Sequence, residues 1–206
     1  MKYSELIKLV LNENLELLTS IDETEVNLLV EKIIRAKKII GYGAGRMGFG
    51  LKAFIMRLNH LGKEAYFFGD NFVPRFDKDD LIIVTSGSGN TKSVLNILEI
   101  AINKAGCDSF AITGNNKSPM ATLANNSLTF KSCNGGLNSA DDPSKITSIQ
   151  PMSTLNEQGM FLLFDIIALK IIEKLGLSLE ETKQFHANIE WVKNGKISYF
   201  YNYLWN

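Results

Sequence analysis

The chain alternates between short apolar runs and longer segments whose apolar residues recur at helical spacing. Near-continuous apolar strands that alternate with helices are typical of a parallel sheet covered on both faces. The pattern therefore predicts a doubly wound α/β fold, with a five-stranded parallel sheet in a flavodoxin-like three-layer sandwich. The predicted strands are 38–42, 65–68, 81–85, 109–113 and 127–130, with helices over 46–61, 90–105 and 119–124.

Further helices are predicted before the sheet. Apolar residues at helical spacing favour helices over 2–19 and 22–36. In the second of these, Asp22 is followed three residues later by Glu25, which is the pattern of a capping box at a helix N-terminus. Both segments are therefore predicted to be helical additions to the α/β domain.

The region after the fifth predicted strand begins with a long polar connection, 132–150. Loops of this length inside a compact domain are usually functional or disordered, so this one is predicted to be a lid over a site. Pro151 is expected in the first turn of the next helix, where proline is tolerated. That helix, 155–175, is strongly apolar and is predicted to form core or subunit contacts, and a shorter helix is predicted over 178–191.

The composition fits one domain over 1–191, since 45% of the 206 residues are hydrophobic and 21% are charged. Lys plus Arg and Asp plus Glu are balanced at 22 each, so no long-range field recruits nucleic acid or an anionic membrane. Cys107 and Cys133 lack metal-like spacing and indicate a reducing compartment. No apolar run approaches the roughly 20 residues that span a bilayer, so we expect a cytoplasmic protein. The cysteine spacing leads us to expect no bound metal.

The last residues, 192–206, form an aromatic tail outside the predicted domain. Its apolar residues alternate as in a strand with one apolar face. Such a face is expected to pack either on its own domain or on a neighbouring subunit. The alternating residues are Ile197, Tyr199, Tyr201, Tyr203 and Trp205.

A loop of small and hydroxyl-bearing residues, 86–91, follows the apolar strand 81–85 and precedes a predicted helix. Hydroxyl groups, the backbone freedom of glycine and unpaired amides at a helix N-terminus together favour the binding of a phosphate. The simpler alternative is a Ser/Gly turn that only caps the helix. The residues predicted to bind phosphate are Ser86, Gly87, Ser88, Gly89, Asn90 and Thr91.

Another glycine loop, with Gly43, Gly45 and Gly48, lies between the first predicted strand and a helix. This spacing is the dinucleotide-binding fingerprint, and Asp70 after the next strand lies where an acid would bind an adenosine ribose. A nicotinamide enzyme is therefore an alternative, although one pyrophosphate does not call for a second glycine loop. Neither loop contains the Gly-Lys-Ser/Thr of a nucleoside triphosphatase.

The two glycine loops are expected at the same edge of the sheet, because both follow parallel strands. Together they predict a pocket for a small ligand with one phosphate, such as a phosphosugar. From the first loop, Gly45 and Arg46 are predicted to face this ligand, although an arginine at a helix start can also be a solvated charge. His60, near the end of the same helix, is interpreted as a structural residue.

Six segments carry a further signal: GAGRMGF at 43–49, KAFIMRLNHLG at 52–62, SGSGNT at 86–91, SPMATLA at 118–124, SIQPMSTLNEQ at 148–158 and FHANIE at 185–190. These segments resemble a sugar isomerase (SIS) domain, and within that group they are most similar to the 6-phospho-3-hexuloisomerases of the ribulose monophosphate pathway. The Ser-Gly-Ser-Gly element is shared by all such domains. The SIQPM and HANIE elements are more specific to the hexuloisomerases.

The resemblance implies reversible conversion of a 3-keto hexulose 6-phosphate into fructose 6-phosphate through an enediol, with no metal and no nucleotide cofactor. It also implies that Glu157 is the general base and that His186 is a second acid/base group, in its own pocket or a neighbouring subunit's. A homodimer or homotetramer is therefore expected. Without the family, Glu157 could be an acid favoured near a helix N-terminus, and His186 a packing histidine.

Three residues depart from the hexuloisomerase pattern. Met47 replaces a serine, Asn90 replaces a glutamate and Phe185 replaces an arginine, so each change removes a polar or charged group from the predicted site. The substrate or the rate can therefore differ from the family norm. The alternatives are an aldose–ketose isomerase of the same fold, such as those acting on arabinose 5-phosphate, and a non-catalytic phosphosugar sensor, although no helix-turn-helix segment is apparent.

Overall fold

The computed structural model of the protein describes residues 1–132 and 145–185, together with the backbone of 192–193 and 196–197. Its centre is a five-stranded sheet in which all neighbouring strands are parallel, in the order β2-β1-β3-β4-β5. The predicted doubly wound α/β fold is thereby confirmed. The strands are β1 (Lys38–Gly43), β2 (Glu64–Phe67), β3 (Leu81–Ser86), β4 (Asp108–Thr113) and β5 (Asn126–Thr129).

Seven α-helices and a π-helical turn are present in the described part of the chain. Each predicted helix is present, and its bounds are close to those expected, except at the positions described below. The α-helices are α1 (Tyr3–Thr19), α2 (Glu23–Arg35), α3 (Gly45–His60), α4 (Lys92–Ile100), α5 (Pro119–Leu123), α6 (Thr154–Leu175) and α7 (Leu179–Gln184), and the π-helical turn is Ala101–Ala105.

The sheet separates two apolar cores, because successive residues of a strand point to opposite faces. On one face, Ile39 and Ile83 belong to the larger core, which α1, α2, α3 and α6 complete. On the other face, Ile40 and Ile82 belong to a smaller core, which α4 and α5 complete. Every residue of β3 is buried, which is typical of a central parallel strand covered on both sides.

Several predicted helix ends are corrected by the structure. The helix predicted over 90–105 starts at Lys92 and changes to π geometry at Ala101, and the left-handed Gly106 (φ 73°) ends it. Pro151 lies in a turn before α6, where its carbonyl accepts a hydrogen bond from the Thr154 amide at 3.2 Å, and not in the first helical turn. The helix predicted over 178–191 ends at Gln184.

The predicted capping box at the start of α2 is wrong. Asp22 accepts from the Thr24 amide at 2.8 Å, but Glu25 does not turn back toward Asp22. The Glu25 carboxylate accepts the amide of Thr129 in the edge strand β5 at 3.2 Å. Burial at this contact raises the pKa of Glu25 above its ordinary value of 4.5. A long-range partner therefore replaces the local one.

Some predictions fall outside the described residues. Most of the proposed lid, 133–144, is one of these, and His186 and most of the aromatic tail are others. Within the tail, β6 (Val192–Lys193) pairs with β7 (Lys196–Ile197) in antiparallel fashion. No described helix combines the length and the apolar character that crossing a membrane requires. Among residues 1–132 and 145–185, no three His, Cys, Asp or Glu side chains group as metal ligands would.

Candidate phosphosugar site

The two glycine loops meet at the carboxyl edge of the sheet. β1 has β2 on one side and β3 on the other, so the chain leaves β1 and β3 toward opposite faces, and a crevice opens between their ends. A cavity of about 400 Å³ lies at this point. It is lined by Ala44, Gly45, Arg46, Met47, Ser86, Gly87, Ser88, Thr91, Met152, Ser153 and Glu157.

The loop after β3 is built by its own hydroxyl groups. The Gly89 amide donates to the Ser86 hydroxyl at 3.1 Å, and the Asn90 amide donates to the Ser88 hydroxyl at 3.2 Å. Gly89 has φ 66°, and a Cβ there would lie 2.1 Å from the Ser118 hydroxyl, so only glycine fits. The loop therefore has a defined shape in which the amides of Gly89 and Asn90 are already used.

The start of α4 faces this loop without a side-chain cap. Thr91 is the N-cap residue, but its side chain accepts no amide of the helix. Its hydroxyl instead shares a hydrogen bond with that of Ser86 at 2.9 Å. The first amides of a helix without a cap and the helix dipole together favour an anion. The geometry thus suits a phosphate held by hydroxyl groups and the α4 N-terminus.

The loop after β1 allows α3 to approach the sheet closely. A Cβ at Gly48 would lie 2.2 Å from the Gly43 carbonyl oxygen, and a Cβ at Gly43 would lie 2.2 Å from the Thr85 hydroxyl. Gly45 is different, because it has φ 60° and open space on its Cβ side. This loop therefore presents Arg46 to the cavity at the point where α3 packs closely on the sheet.

Arg46 and Glu157 form an ion pair inside the cavity. The Arg46 Nε–H donates to Glu157 Oε2 across elements that are far apart in sequence. The Glu157 side chain is 13% exposed, whereas that of Arg46 is 62% exposed. Glu157 lies in the first turn of α6, where the helix dipole favours a carboxylate. A largely buried carboxylate and a largely exposed guanidinium are thus placed beside the hydroxyl loop.

Most of the predicted site residues come together. Gly45, Arg46 and Glu157 line the cavity with four positions of the second loop. Gly89 and Asn90 do not line it, because the loop turns their amides inward to Ser86 and Ser88. The four second-loop residues that line it are Ser86, Gly87, Ser88 and Thr91.

The departures from the family pattern have different surroundings. Met47 lines the cavity but is only 4% exposed and packs in the larger core. Asn90 is exposed to solvent. Phe185 lies against the turn at Gly62, where a Cβ would come within 2.9 Å of its ring. Of the three replaced groups, only the one at position 47 therefore borders the cavity.

Two residues that line the cavity, Met152 and Ser153, were not among the predicted site residues. Met152 has φ 53° and is the non-glycine residue with positive φ in the described chain. An unbranched apolar side chain in this region is uncommon, and it is strained by about 1–2 kcal/mol. Both residues belong to the SIQPMSTLNEQ segment, so the motif was visible although its geometry was not.

Asp70, the acid of the dinucleotide alternative, and His60, interpreted as a structural residue, do not line the cavity. Asp70 forms an ion pair with Lys52 of α3 and does not line the cavity. His60 is the last residue of α3, away from the residues that line the cavity. The first loop thus keeps the glycine spacing of a dinucleotide fold, whereas the expected ribose acid is paired with a lysine.

The family follows from comparison with known proteins. Residues 32–134 match the family model described as "SIS domain". This chain belongs to the SIS domain family. The match begins in α2 and ends after β5, so it includes both glycine loops. The resemblance predicted from the sequence motifs is therefore confirmed.

Similar proteins extend the SIS domain comparison over most of the chain. A 3-hexulose-6-phosphate isomerase of Bacillus subtilis is 34% identical over 92% of this chain and 100% of its own length. One from Mycobacterium gastri is 32% identical over 89% of each chain. A solved structure of a hypothetical protein from Methanococcus jannaschii, for which the function of 3-hexulose-6-phosphate isomerase was inferred, has a TM-score of 0.76 and 31% identity over 90% of this chain and 99% of its own.

Proposed function

We propose that this protein is a 3-hexulose-6-phosphate isomerase that interconverts a 3-hexulose 6-phosphate and fructose 6-phosphate through an enediol. The observation that carries the proposal is the single cavity shared by the hydroxyl loop, Arg46 and Glu157. The relatives that span most of the chain and bear this enzyme's name support the same substrate. No cofactor is part of the proposed reaction.

The phosphate is proposed to bind at the second loop. Ser86, Ser88 and Thr91 lie at the cavity. The Ser88 hydroxyl accepts the Asn90 amide and can still donate its own proton to a phosphate oxygen. Ser86 and Thr91 share one hydrogen bond, which must rearrange before both can donate to the phosphate. The α4 N-terminus adds a favourable dipole. Hydrogen bonds to a charged group are worth roughly 1.5–3 kcal/mol each, so two or three suffice for firm binding.

The proton transfer is assigned to Glu157. Its carboxylate removes the proton from carbon 3 of fructose 6-phosphate, the electron pair forms the 2,3-enediol, and the proton returns to carbon 2 as the carbonyl moves to carbon 3. The Arg46 guanidinium, now paired with Glu157, can stabilise the negative oxygen of the enediolate. His186 is proposed to move protons between the two oxygens, and it lies outside the described residues.

The test follows carbon 3 of fructose 6-phosphate by deuterium exchange from heavy water, read by NMR. Glu157→Gln should slow exchange about a thousandfold, within the range of a lost general base, because the amide cannot accept the carbon-bound proton. Glu173→Gln is the matched control, since Glu173 is an exposed carboxylate on the same helix. Full exchange in folded Glu157→Gln contradicts the assignment of the base.

The same preparation separates the alternative functions. Stabilisation by fructose 6-phosphate without any exchange in the wild type would indicate a phosphosugar sensor, and turnover of arabinose 5-phosphate would indicate an aldose–ketose isomerase. At a hundred times its Kd, a ligand of the native state adds about 2.7 kcal/mol to the free energy of unfolding. Stabilisation of this size by NAD, and not by the sugar phosphate, would revive the dinucleotide alternative.

The proposal also includes a homodimer or homotetramer in the cytoplasm. In support of subunit contacts, α6 leaves four large apolar side chains partly open on its outer side, and Leu169 is 65% exposed. Contiguous apolar surface of this kind marks interaction sites. Light scattering should give the mass of two or four chains. The four side chains are Phe161, Leu162, Ile166 and Leu169.

A further inference from the structure

One carboxylate in α1 connects this helix to the segment that precedes α6. Glu13 accepts hydrogen bonds from the Ser148 hydroxyl at 2.6 Å, the Ile149 amide at 2.9 Å and the Gln150 side-chain amide at 2.9 Å. Ser148 and Gln150 are buried, and the backbone amide of Gln150 donates to the Ser148 hydroxyl at 3.0 Å. Three hydrogen bonds to one charged group fix the path of this segment.

The segment that Glu13 holds leads directly into the strained turn at the cavity. Gln150 is followed by Pro151 and by Met152, whose φ is 53°. A non-glycine residue with positive φ is strained, and it keeps this conformation only where the surrounding structure holds it there. Ser153 follows as the N-cap residue of α6, and the Glu157 amide donates to its carbonyl at 3.0 Å. The position of Glu157 thus depends on the turn that Glu13 anchors.

Two further contacts join α1 to α6 just beyond Glu157. The Asn14 side chain donates to Gln158 Oε1 at 2.8 Å, and Asn14 is buried. At Gly159 a Cβ would come within 2.5 Å of Leu17, so the two helices touch closely there. Consecutive turns of α1 therefore contact residues on both sides of Glu157.

We propose that Glu13 is a positioning residue, which holds the carboxylate of Glu157 at the cavity by anchoring residues 148–150. α1 lies outside the stretch that matches the SIS domain, 32–134, and so does α6. The catalytic consequence rests on the proposed isomerase function. Glu13 does not line the cavity, so its effect on the reaction passes through Glu157.

The experiment measures steady-state isomerisation and amide hydrogen exchange for three variants of the full chain. Glu13→Ala removes both acceptor oxygens and with them all three hydrogen bonds, and Glu13→Gln keeps the shape and one acceptor oxygen. Glu16→Ala is the matched control, because Glu16 is an exposed acid one helical turn further along α1. Displacing a catalytic group by about 1 Å can cost roughly a hundredfold in rate.

We expect Glu13→Ala to lower kcat about 10- to 100-fold with KM within about twofold, since the phosphate loop is untouched. Glu13→Gln should be intermediate, and Glu16→Ala should match the wild type. Amides over 146–158 should exchange faster in Glu13→Ala, whereas those over 81–95 should not. A folded Glu13→Ala with wild-type kcat overturns the proposal, and so does a loss of activity that Glu16→Ala shares.

Failure of the proposed function gives a different result. If the wild type neither isomerises nor exchanges the carbon-bound proton of fructose 6-phosphate, the proposed function fails at that step. The amide exchange then decides the structural part alone. Unchanged protection over 146–158 in Glu13→Ala overturns the anchoring of this segment, and protection lost there but kept in Glu16→Ala supports it. If Glu13→Ala does not fold, Glu13→Gln gives the same two readouts.

Discussion

The two glycine loops look alike in sequence but use their glycines differently. In the loop after β1, Gly43 and Gly48 provide close backbone contact between α3 and the sheet, with Cβ positions 2.2 Å from other atoms. In the loop after β3, Gly89 provides a left-handed bend, and the neighbouring serines and threonine supply hydroxyl groups to the cavity. The glycines of the first loop chiefly allow close packing, whereas the second loop chiefly presents the hydroxyl groups that we propose to bind phosphate.

The difference explains why the dinucleotide fingerprint was misleading here. A glycine spacing reports how closely a helix approaches a strand, and this requirement is the same whether or not a pyrophosphate is bound. The chemistry lies in the side chains that the backbone presents. In this protein, the polar side chains that the two loops present to the cavity are the hydroxyl residues of the second loop and Arg46 of the first. A glycine motif is therefore informative about function only together with its polar neighbours.

The largest expected effect concerns packing in the first loop. Gly48→Ala should lower the free energy of unfolding by about 3 kcal/mol, because the new methyl group meets the Gly43 carbonyl, which belongs to the backbone. Gly45→Ala should lower the free energy of unfolding by only about 1 kcal/mol, because the new methyl group has open space and only the positive φ is unfavourable for alanine. Urea denaturation measures both. Equal losses would show that backbone conformation, and not close approach, sets the requirement.

An intermediate effect concerns binding by the second loop. Ser88→Ala and Thr91→Val should each weaken fructose 6-phosphate binding about tenfold, because each removes one hydrogen bond to a charged group. The melting temperature without ligand should fall only slightly, because each variant loses one internal hydrogen bond of the loop, to the Asn90 amide or to the Ser86 hydroxyl. Isothermal titration calorimetry measures the affinity, with Ser4→Ala, an exposed serine of α1, as control. Unchanged affinity in both variants would mean that these hydroxyl groups do not bind the ligand and that the loop only connects β3 to α4.

The smallest effect concerns the smaller core, where Cys107 packs with α4 near the amino ends of β3 and β4. Burial raises the pKa of the Cys107 thiol from 9.0 to about 11. Between these values the unfolded chain has lost this proton and the native protein keeps it, so the free energy of unfolding should fall as pH rises from 9 to 11. Cys107→Ala should show a shallower fall in urea titrations across this range. Identical slopes would mean that the thiol ionises equally in both states.

The sheet could be predicted from the sequence because its signal is local. Residues 81–84 form a continuous apolar run, and the structure buries all of them. The two loops followed from their position after such strands, and so did the convergence of Arg46 with the hydroxyl residues at one cavity. Glu157 was reached through a family motif, since a carboxylate near a helix start has an ordinary explanation.

The remaining features depend on contacts between distant parts of the chain. Glu25 does not cap its own helix, because its carboxylate accepts the Thr129 amide, 104 residues away in sequence. Glu13 bonds to Ser148 at a separation of 135 residues, and no spacing rule connects the two. Met152 has a positive φ, which is uncommon for methionine and cannot be predicted from the residue type.

The contact between Thr85 and the first loop makes one half of the site rigid. The Thr85 hydroxyl donates to the Met47 carbonyl at 3.4 Å and fills the space that Gly43 leaves open. Arg46 and the hydroxyl loop are thereby parts of a single preassembled frame, whereas Glu157 comes from a separate helix. In the proposed isomerase, adjustment to different sugars of equal charge would then come from the glutamate side, while the side proposed to bind the anion stays constant.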